Sequence, residues 1–279
     1  MTVRIIVDST SDVGLERAKQ YGMTIVPLTI SFGEEEFRDG IDMDNATFYA
    51  RLQSSTVLPK TSTPSITAFE NAFNDAIKDG VSGILVISIT SKLSGTMNAA
   101  HQAKMLVSEK SNIPINIVDS RMVSAGIGLT AILVAKRAQS GASLDELTTY
   151  ANDLFDHTRI FFVLNTLEYL EKGGRIGRAQ AVFGSILNMK PILHITEGEV
   201  ASLERVRTRS KALVRLGELV KEIGPLAYVG VAASDDESAR EGEELVRPYT
   251  TEPIEVFKVG PVIGTYAGPK AVGIVTIQK

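Results

Sequence analysis

Gly83-Ile84-Leu85-Val86-Ile87-Ser88-Ile89-Thr90-Ser91-Lys92-Leu93-Ser94-Gly95-Thr96 decides the fold. Its first seven residues are a short apolar run bounded by turn residues, the pattern of a strand buried on both faces. The hydroxyl-rich loop that follows opens a helical pattern over Thr96–Ser108. Ser94 can cap that helix, and Gly95 lets a ligand approach the backbone. A cap needs one hydroxyl, whereas Ser88, Thr90, Ser91, Ser94 and Thr96 fall within nine positions. The same order of strand, polar loop and helix recurs along the first half. Strand Ile5–Val7 runs into Asp8-Ser9-Thr10-Ser11-Asp12, and strand Ile115–Val118 runs into Asp119-Ser120. Thr24–Ile30 reads as a further strand. Thr61-Ser62-Thr63-Pro64-Ser65 opens a helix to Lys78, with Thr63 as the expected N-cap and Pro64 at the first helical position. Alternation of strand and helix implies an α/β fold, a mostly parallel sheet with helices on its faces. Ligands of such sheets bind beyond the carboxyl ends of the strands, where helix N-termini offer free N–H groups to an anion. Almost no cation, cysteine or histidine accompanies these loops, which points to a neutral, hydroxyl-lined anchor for a small anionic head group.

Helices are expected over Ser124–Ser140, closed by Gly141, and over Ser143–Asp156, where Ser143 and Glu146 fit a capping box. Beyond Asp156 the character changes. Arg159–Leu164 reads as a strand and Leu167–Lys172 as a short helix ending at Gly173-Gly174-Arg175-Ile176. Ala179–Leu187, strand Ile192–Thr196 and a turn at Glu197-Gly198-Glu199 follow. Then come helix Ser210–Ile223, strand Ala227–Ala233, helix Ser238–Arg247 and strands Pro253–Val259 and Val272–Gln278. Gly260–Lys270 reads as a Gly/Pro-rich loop. This predicts an N-terminal α/β domain over residues 1–157, a C-terminal α+β domain over 158–279, and a ligand tunnel between them.

Composition narrows the classes. Hydrophobic content of 44% with 22% charged residues suits a globular chain with a real core. Net charge is −4, from 29 basic and 33 acidic residues, so no overall basic field favours nucleic acid or an anionic membrane surface. Tryptophan is absent and only 17 phenylalanines and tyrosines are present, too few to suggest stacking platforms for single strands. Without cysteine there are no disulfides, thiolate zinc sites or iron–sulfur clusters, and no metal is expected. That suits a reducing cytoplasm, which is the expected location. Val3–Asp8 reads as a strand rather than a signal peptide, and no apolar stretch reaches 18 residues, so stable membrane insertion is not expected.

Two chemistries remain open from the residues alone. Ser94 as a nucleophile would make a small esterase, which needs a base within hydrogen-bond reach. His101 lies two turns along the same helix, roughly 10 Å away by helical rise. His157 and His194 belong to the second half, and no Gly-x-Ser-x-Gly elbow is present. A non-catalytic carrier of an apolar acid needs only the polar anchor and an apolar tunnel, for which Phe161, Phe162, Ile186, Leu187, Met189 and Ile192 are candidates. Gly173-Gly174-Arg175-Ile176-Gly177-Arg178 lacks the spacing of a phosphate loop and reads as a tight turn whose arginines hold the cleft or face a partner. Arg205–Lys211 reads as a solvated basic face or a partner contact.

Read together and in order, several segments resemble the DegV family over essentially the whole chain. They are Val7–Asp12, Thr61–Ser65, Ser91-Lys92-Leu93-Ser94-Gly95-Thr96, Asp119-Ser120, Leu167–Ile176, Met189-Lys190-Pro191-Ile192-Leu193, Val206-Arg207-Thr208 and Gly264-Thr265-Tyr266-Ala267-Gly268-Pro269. The resemblance implies a two-domain protein that holds one long-chain fatty acid between its domains. It also implies the binding subunit of a bacterial fatty acid kinase (FakB-type): a separate catalytic subunit phosphorylates the bound carboxylate for phospholipid synthesis. By that resemblance Thr61, Ser62 and Ser94 are carboxylate anchors, and Arg207 matches an arginine tied to kinase engagement; Thr96 and Tyr266 are expected to bind the carboxylate with them. The family loop usually reads Gly-Thr-His-x-Gly-Pro. Here Tyr266 stands at the histidine position, a phenol that donates a hydrogen bond but is neutral at pH 7.

Overall fold

The computed structural model describes residues 2–183 and 189–279. In chain order its first half holds β1 (Val3–Asp8), α1 (Leu15–Tyr21), β2 (Thr24–Val26), β3 (Thr29–Phe32), β4 (Glu35–Arg38), α2 (Asn45–Ser54), β5 (Lys60–Ser62), α3 (Ile66–Lys78), β6 (Gly83–Ser88), α4 (Thr96–Ser108), β7 (Ile115–Asp119), α5 (Ala125–Gln139) and α6 (Leu144–His157). The second half holds β8 (Thr158–Val163), α7 (Glu168–Lys172), β9 (Lys190–Thr196), β10 (Glu199–Val206), α8 (Arg209–Ile223), β11 (Leu226–Ala233), α9 (Asp236–Val246), β12 (Ile254–Lys258), α10 (Pro261–Ala267) and β13 (Val272–Gln278).

The expected parallel sheet is present, in the order β2-β1-β6-β7. Every residue of β6 is buried, because helices cover both faces. On one face Ile6, Ile84 and Val86 meet Phe69 and Phe73 of α3 and the alanines of α4. On the other, Ile5, Val7, Leu85 and Ile87 meet α5. Helix α5 is apolar almost all round, and 12 of its 15 residues are buried. A helix with no polar face needs cover on every side. The second sheet supplies it, in the order β10-β9-β8-β13-β11-β12, with only the β11–β12 pair parallel. One hydrophobic core therefore runs from β1 through α5 to β13. Helices α8 and α9 close the far face of the second sheet.

Several sequence expectations need correction. Thr24–Ile30 is two strands in two sheets. Pro27 lacks an N–H for the ladder, the parallel pairing stops at Val26, and β3 turns away to pair antiparallel with β4 and β5. That small sheet packs with α2 through Ile30, Phe32, Phe48 and Leu52. Thr61 and Ser62 thus lie on a strand. Ser65 caps α3, accepting from the Ala68 N–H at 3.1 Å, so Thr63 does not. The α4 cap position is Gly95, with Ser94 one residue outside. Glu199–Val206 is a strand that includes Arg205, and Gly260–Lys270 contains helix α10. In the Ala179–Leu187 segment, to which the sequence assigns no conformation, a 3-10 turn over Gly177–Val182 is seen, and residues 184–188 lie outside the described residues. The Ser143/Glu146 capping box is present.

Gly128 of α5 marks the closest approach in this layered core. A Cβ there would lie 2.5 Å from the Ser11 carbonyl oxygen and 2.6 Å from the Phe257 ring. Glycine to alanine in a helix ordinarily stabilises by about 1 kcal/mol. Here the backbone contact reverses the sign. Gly128→Ala is expected to lower unfolding stability by about 1–3 kcal/mol, seen as an earlier midpoint in urea denaturation; an unchanged or later midpoint would contradict this packing.

Candidate functional site

A cavity opens where the carboxyl ends of β1 and β6 face the second sheet. It holds about 950 Å³ of atom-free space, open mouth included. Strand alternation selects its wall. Ile160 and Phe162 of β8, with Leu164 just beyond, line it, whereas Phe161 and Val163 point to the opposite face under α8. Of the expected tunnel residues, Phe162 alone among the described residues is in the wall. Phe161 and Ile192 belong to the core beneath α8, Met189 is not in the wall, and Ile186 and Leu187 lie outside the described residues. Ile89, Val123, Ile195 and Val262 were not anticipated as wall residues. Nothing in the sequence distinguishes them from ordinary core.

Beside the buried Thr10 and Ser124, a more exposed part of the wall is polar. Thr61 comes from β5, Thr63 from the turn into α3, Ser94 from the loop before α4, Arg175 from the turn after α7 and Tyr266 from α10. The Thr61 and Tyr266 hydroxyl oxygens lie 2.5 Å apart. Ser94 Oγ is 2.8 Å from Thr96 Oγ1 and accepts from the Thr96 N–H at 3.3 Å. Thr96 is buried behind Ser94 and is not in the wall. Ser62, next to Thr61 along β5, is exposed and outside the wall. The structure therefore brings Thr61, Ser94 and Tyr266 together, places Thr96 as backing, and leaves Ser62 out.

Arg175 changes the electrostatics expected for this end, which is not neutral. Its Nε donates to the Leu93 carbonyl at 3.3 Å, across the two halves, and its guanidinium lies 5.3 Å from the centroid of the Tyr266 ring. The run Gly173-Gly174-Arg175 carried the signal, but only as a turn. Gly173 has a steric reason to be glycine, since a Cβ would lie 2.5 Å from the Tyr266 ring.

The Asp-Ser steps are structural. Asp8 is buried and accepts from the Thr10 N–H at 3.1 Å and the Ile89 N–H at 2.8 Å. Asp119 accepts from the Ser91 hydroxyl at 2.6 Å and the Arg121 N–H at 2.9 Å. Burial raises the carboxyl pKa of Asp8, against the pull of those hydrogen bonds. Burial likewise pushes Asp12 well above the usual carboxylate range and Asp39 up to about 7. None of the three histidines is in the wall. His157 Nδ1 contacts the Asp153 carbonyl, and His194 sits on β9, its pKa lowered by burial. Ser94 therefore has Thr96, not a histidine, at hydrogen-bond distance. Arg207 is exposed at the turn between β10 and α8, with no hydrogen bond or ion pair among the described residues. Among the same residues no cluster of three metal-ligating side chains occurs, and no helix is long and apolar enough to cross a membrane.

Comparison with known proteins agrees with this architecture. A model of the DegV family of uncharacterised proteins matches residues 2–279. A DegV domain-containing protein of Streptomyces coelicolor is 33% identical, over 99% of each chain, and one of Clostridium perfringens is 35% identical, over 98% of each. Among solved structures, a fatty-acid-binding DegV family protein from Thermus thermophilus aligns with a TM-score of 0.90 at 26% identity, over 100% of both chains. Bacillus subtilis DegV, described as a fatty acid binding protein, aligns at 0.87 and 30%, also over 100% of both. A stearic-acid-binding protein from Eubacterium ventriosum aligns at 0.87 and 27%, over 99% and 98%. By its sequence from end to end and by its fold, the chain belongs to the DegV family.

Proposed function

We propose that this protein binds one long-chain fatty acid in the cavity and presents it to a separate fatty acid kinase, whose acyl-phosphate product feeds phospholipid synthesis. The observation that carries the reading is a mostly apolar cavity whose partly exposed hydroxyls, Thr61, Ser94 and Tyr266, share its wall with one guanidinium, that of Arg175. The fatty acids bound by the similar DegV proteins support it. About 15 methylenes at roughly 0.8 kcal/mol each give on the order of 12 kcal/mol gross. Ordering and association remove a large part of that, and micromolar or tighter binding remains.

In this reading the tail lies against Phe162, Ile195 and Val262. The carboxylate accepts from the hydroxyls of Thr61, Ser94 and Tyr266, with Thr96 orienting Ser94 and Ser62 outside the contact. Arg175 offsets part of the desolvation cost that a buried carboxylate carries. Stacked on Tyr266 and bonded to a carbonyl, it lends charge from one side and leaves carboxylate lone pairs open to a phosphoryl donor. Arg207, solvated and unpaired among the described residues, is the contact offered to the kinase. We read residues 1–157 and 158–279 as two domains joined by the core around α5, in a cytoplasmic protein that acts as a carrier without catalysis of its own.

Denaturing mass spectrometry of organic extracts from purified protein should find a long-chain fatty acid near one per chain; an empty protein or a different lipid would refute the reading. Ser94→Ala and Thr61→Val should each weaken binding about tenfold or more, the cost of one hydrogen bond to a charged group, as measured by calorimetry on delipidated protein. Unchanged affinity in both would dismiss the anchor assignment. Arg207→Ala should leave fatty-acid affinity intact and lower acyl-phosphate formation with a cognate kinase at least several-fold. Equal turnover would remove Arg207 from the partner surface.

A further inference from the structure

Helix α10 carries Tyr266 and also contributes Val262, Ile263 and Ala267 to the cavity wall. Its own start supplies no acceptor for the free N–H groups there. The cap is Gly260, which has no side chain, and Pro261 occupies the first turn. Two carboxyl groups from the other end of the chain fill the gap. Asp12 Oδ1 accepts from the Gly260 N–H at 2.9 Å, a contact across 248 positions, while its Oδ2 accepts from Ser124 Oγ at 2.5 Å. Asp39 lies against the same cap, both of its carboxylate oxygens within 4.0 Å of where a Cβ on Gly260 would stand. Both acids are buried.

The approach is close on every side. A Cβ on Gly260 would lie 2.9 Å from Asp12 Oδ1 and 3.5 Å from the nearer Asp39 oxygen. One on Gly264 would lie 2.7 Å from both the Phe48 ring and the Tyr49 hydroxyl. Just before the helix, the Val259 carbonyl accepts from Asn45 Nδ2 at 3.1 Å and Tyr49 OH at 3.2 Å. The chain entering α10 is thus held by hydrogen bonds from Asp12, Asn45 and Tyr49, with Asp39 packed against its cap.

We infer that Asp12 and Asp39 are positioning residues for the head-group end of the cavity: by holding the first turn of α10 they set where Tyr266 places its hydroxyl against Thr61. This rests on the proposed fatty-acid reading for its functional meaning and on contacts within the chain for its mechanism. Tyr266 is six residues from Gly260, about 9 Å along a rigid helix, so loosening the first turn displaces the phenol.

The grip is linked to protons. Around the pair stand Asp8 from β1, Glu16 and Arg17 from α1, Asp44 and Tyr49 at α2, Asp235 before α9 and Lys258 from β12. The two cations are engaged elsewhere, Arg17 with Glu255 at 3.4 Å and Lys258 with Asp236 at 3.4 Å. Burial first, and then the neighbouring acids, raise both carboxyl pKa values, that of Asp39 to about 7. The held arrangement therefore binds a proton more tightly than a released, hydrated one. Its advantage is complete at low pH and is lost as pH rises through the held-state value.

The test is hydrogen–deuterium exchange on the ligand-free full chain between pH 6 and 8, corrected for intrinsic rates, with residues 272–278 as the reference. Protection of residues 260–268 should fall by about tenfold over that range, the change for one linked proton on a held carboxyl that titrates at about 7. Asp39→Asn keeps an acceptor without a charge and should flatten the profile. Asp39→Ala should lower protection at every pH. Flat protection in the wild type, which needs no variant to fold, overturns the inference, as does an unaltered slope in Asp39→Asn. Release of the fluorescent fatty acid cis-parinaric acid should accelerate with the same pH profile. A pH-independent release rate beside a sloping exchange profile removes the role at the head group. If cis-parinaric acid does not bind at all while exchange behaves as stated, the latch stands and the fatty-acid reading fails.

Discussion

Helix α5 has no face fit for water, and the rest of the architecture follows from covering it. One sheet can bury half of such a helix; two are needed for the whole. The parallel sheet takes one side through Ile5, Val7, Leu85 and Ile87, and the second sheet takes the other through Ile160, Val275 and Ile277. This fixes the carboxyl ends of β1 and β6 opposite the β8–β13 region. A seam between two sheets that meet only around a helix leaves space beyond that helix's end, and there the cavity lies.

Polar groups around the seam divide by burial. Those at the cavity end, Thr61, Ser94, Arg175 and Tyr266, are partly or fully exposed, and the three hydroxyls bond one another or Thr96, donors that a ligand can share. On the other side Asp8, Asp12 and Asp39 are buried, and Asp8 and Asp12 are bonded to backbone N–H groups, so they hold elements in place. Similar residue types do different work because the low dielectric of the interior penalises any buried polar group without a partner.

The parallel sheet was legible because β6 is a continuous apolar run, and α6 because Ser143 and Glu146 form a complete capping box. The family resemblance rested on ordered motifs spread over the chain, which composition could not supply. Other features were hidden for physical reasons. Strand β5 has only three residues, two of them hydroxylic, and owes its conformation to pairing with β3. Helix α10 begins with glycine and proline and is stabilised by acids more than 200 positions away, so no local pattern announces it. Alternation along β8 gives one phenylalanine to the cavity and its neighbour to the core, and a sequence shows that they alternate without showing which faces which. Arg175 was visible as a residue, but its closeness to Tyr266 is a tertiary fact.

Strand β13 lies in the middle of the second sheet, between β8 and β11, yet it follows both in the chain. During synthesis the flanks therefore exist before the centre. Until β13 emerges, β8 and β11 each present an unpaired edge, a form prone to mispairing with other chains. The cavity also lacks the wall that Val272 and Gly273 provide. At that stage the chamber has one side missing. The insertion that completes the chamber is the one that removes the exposed edges, so the closed cavity exists only in a chain past its most aggregation-prone stage.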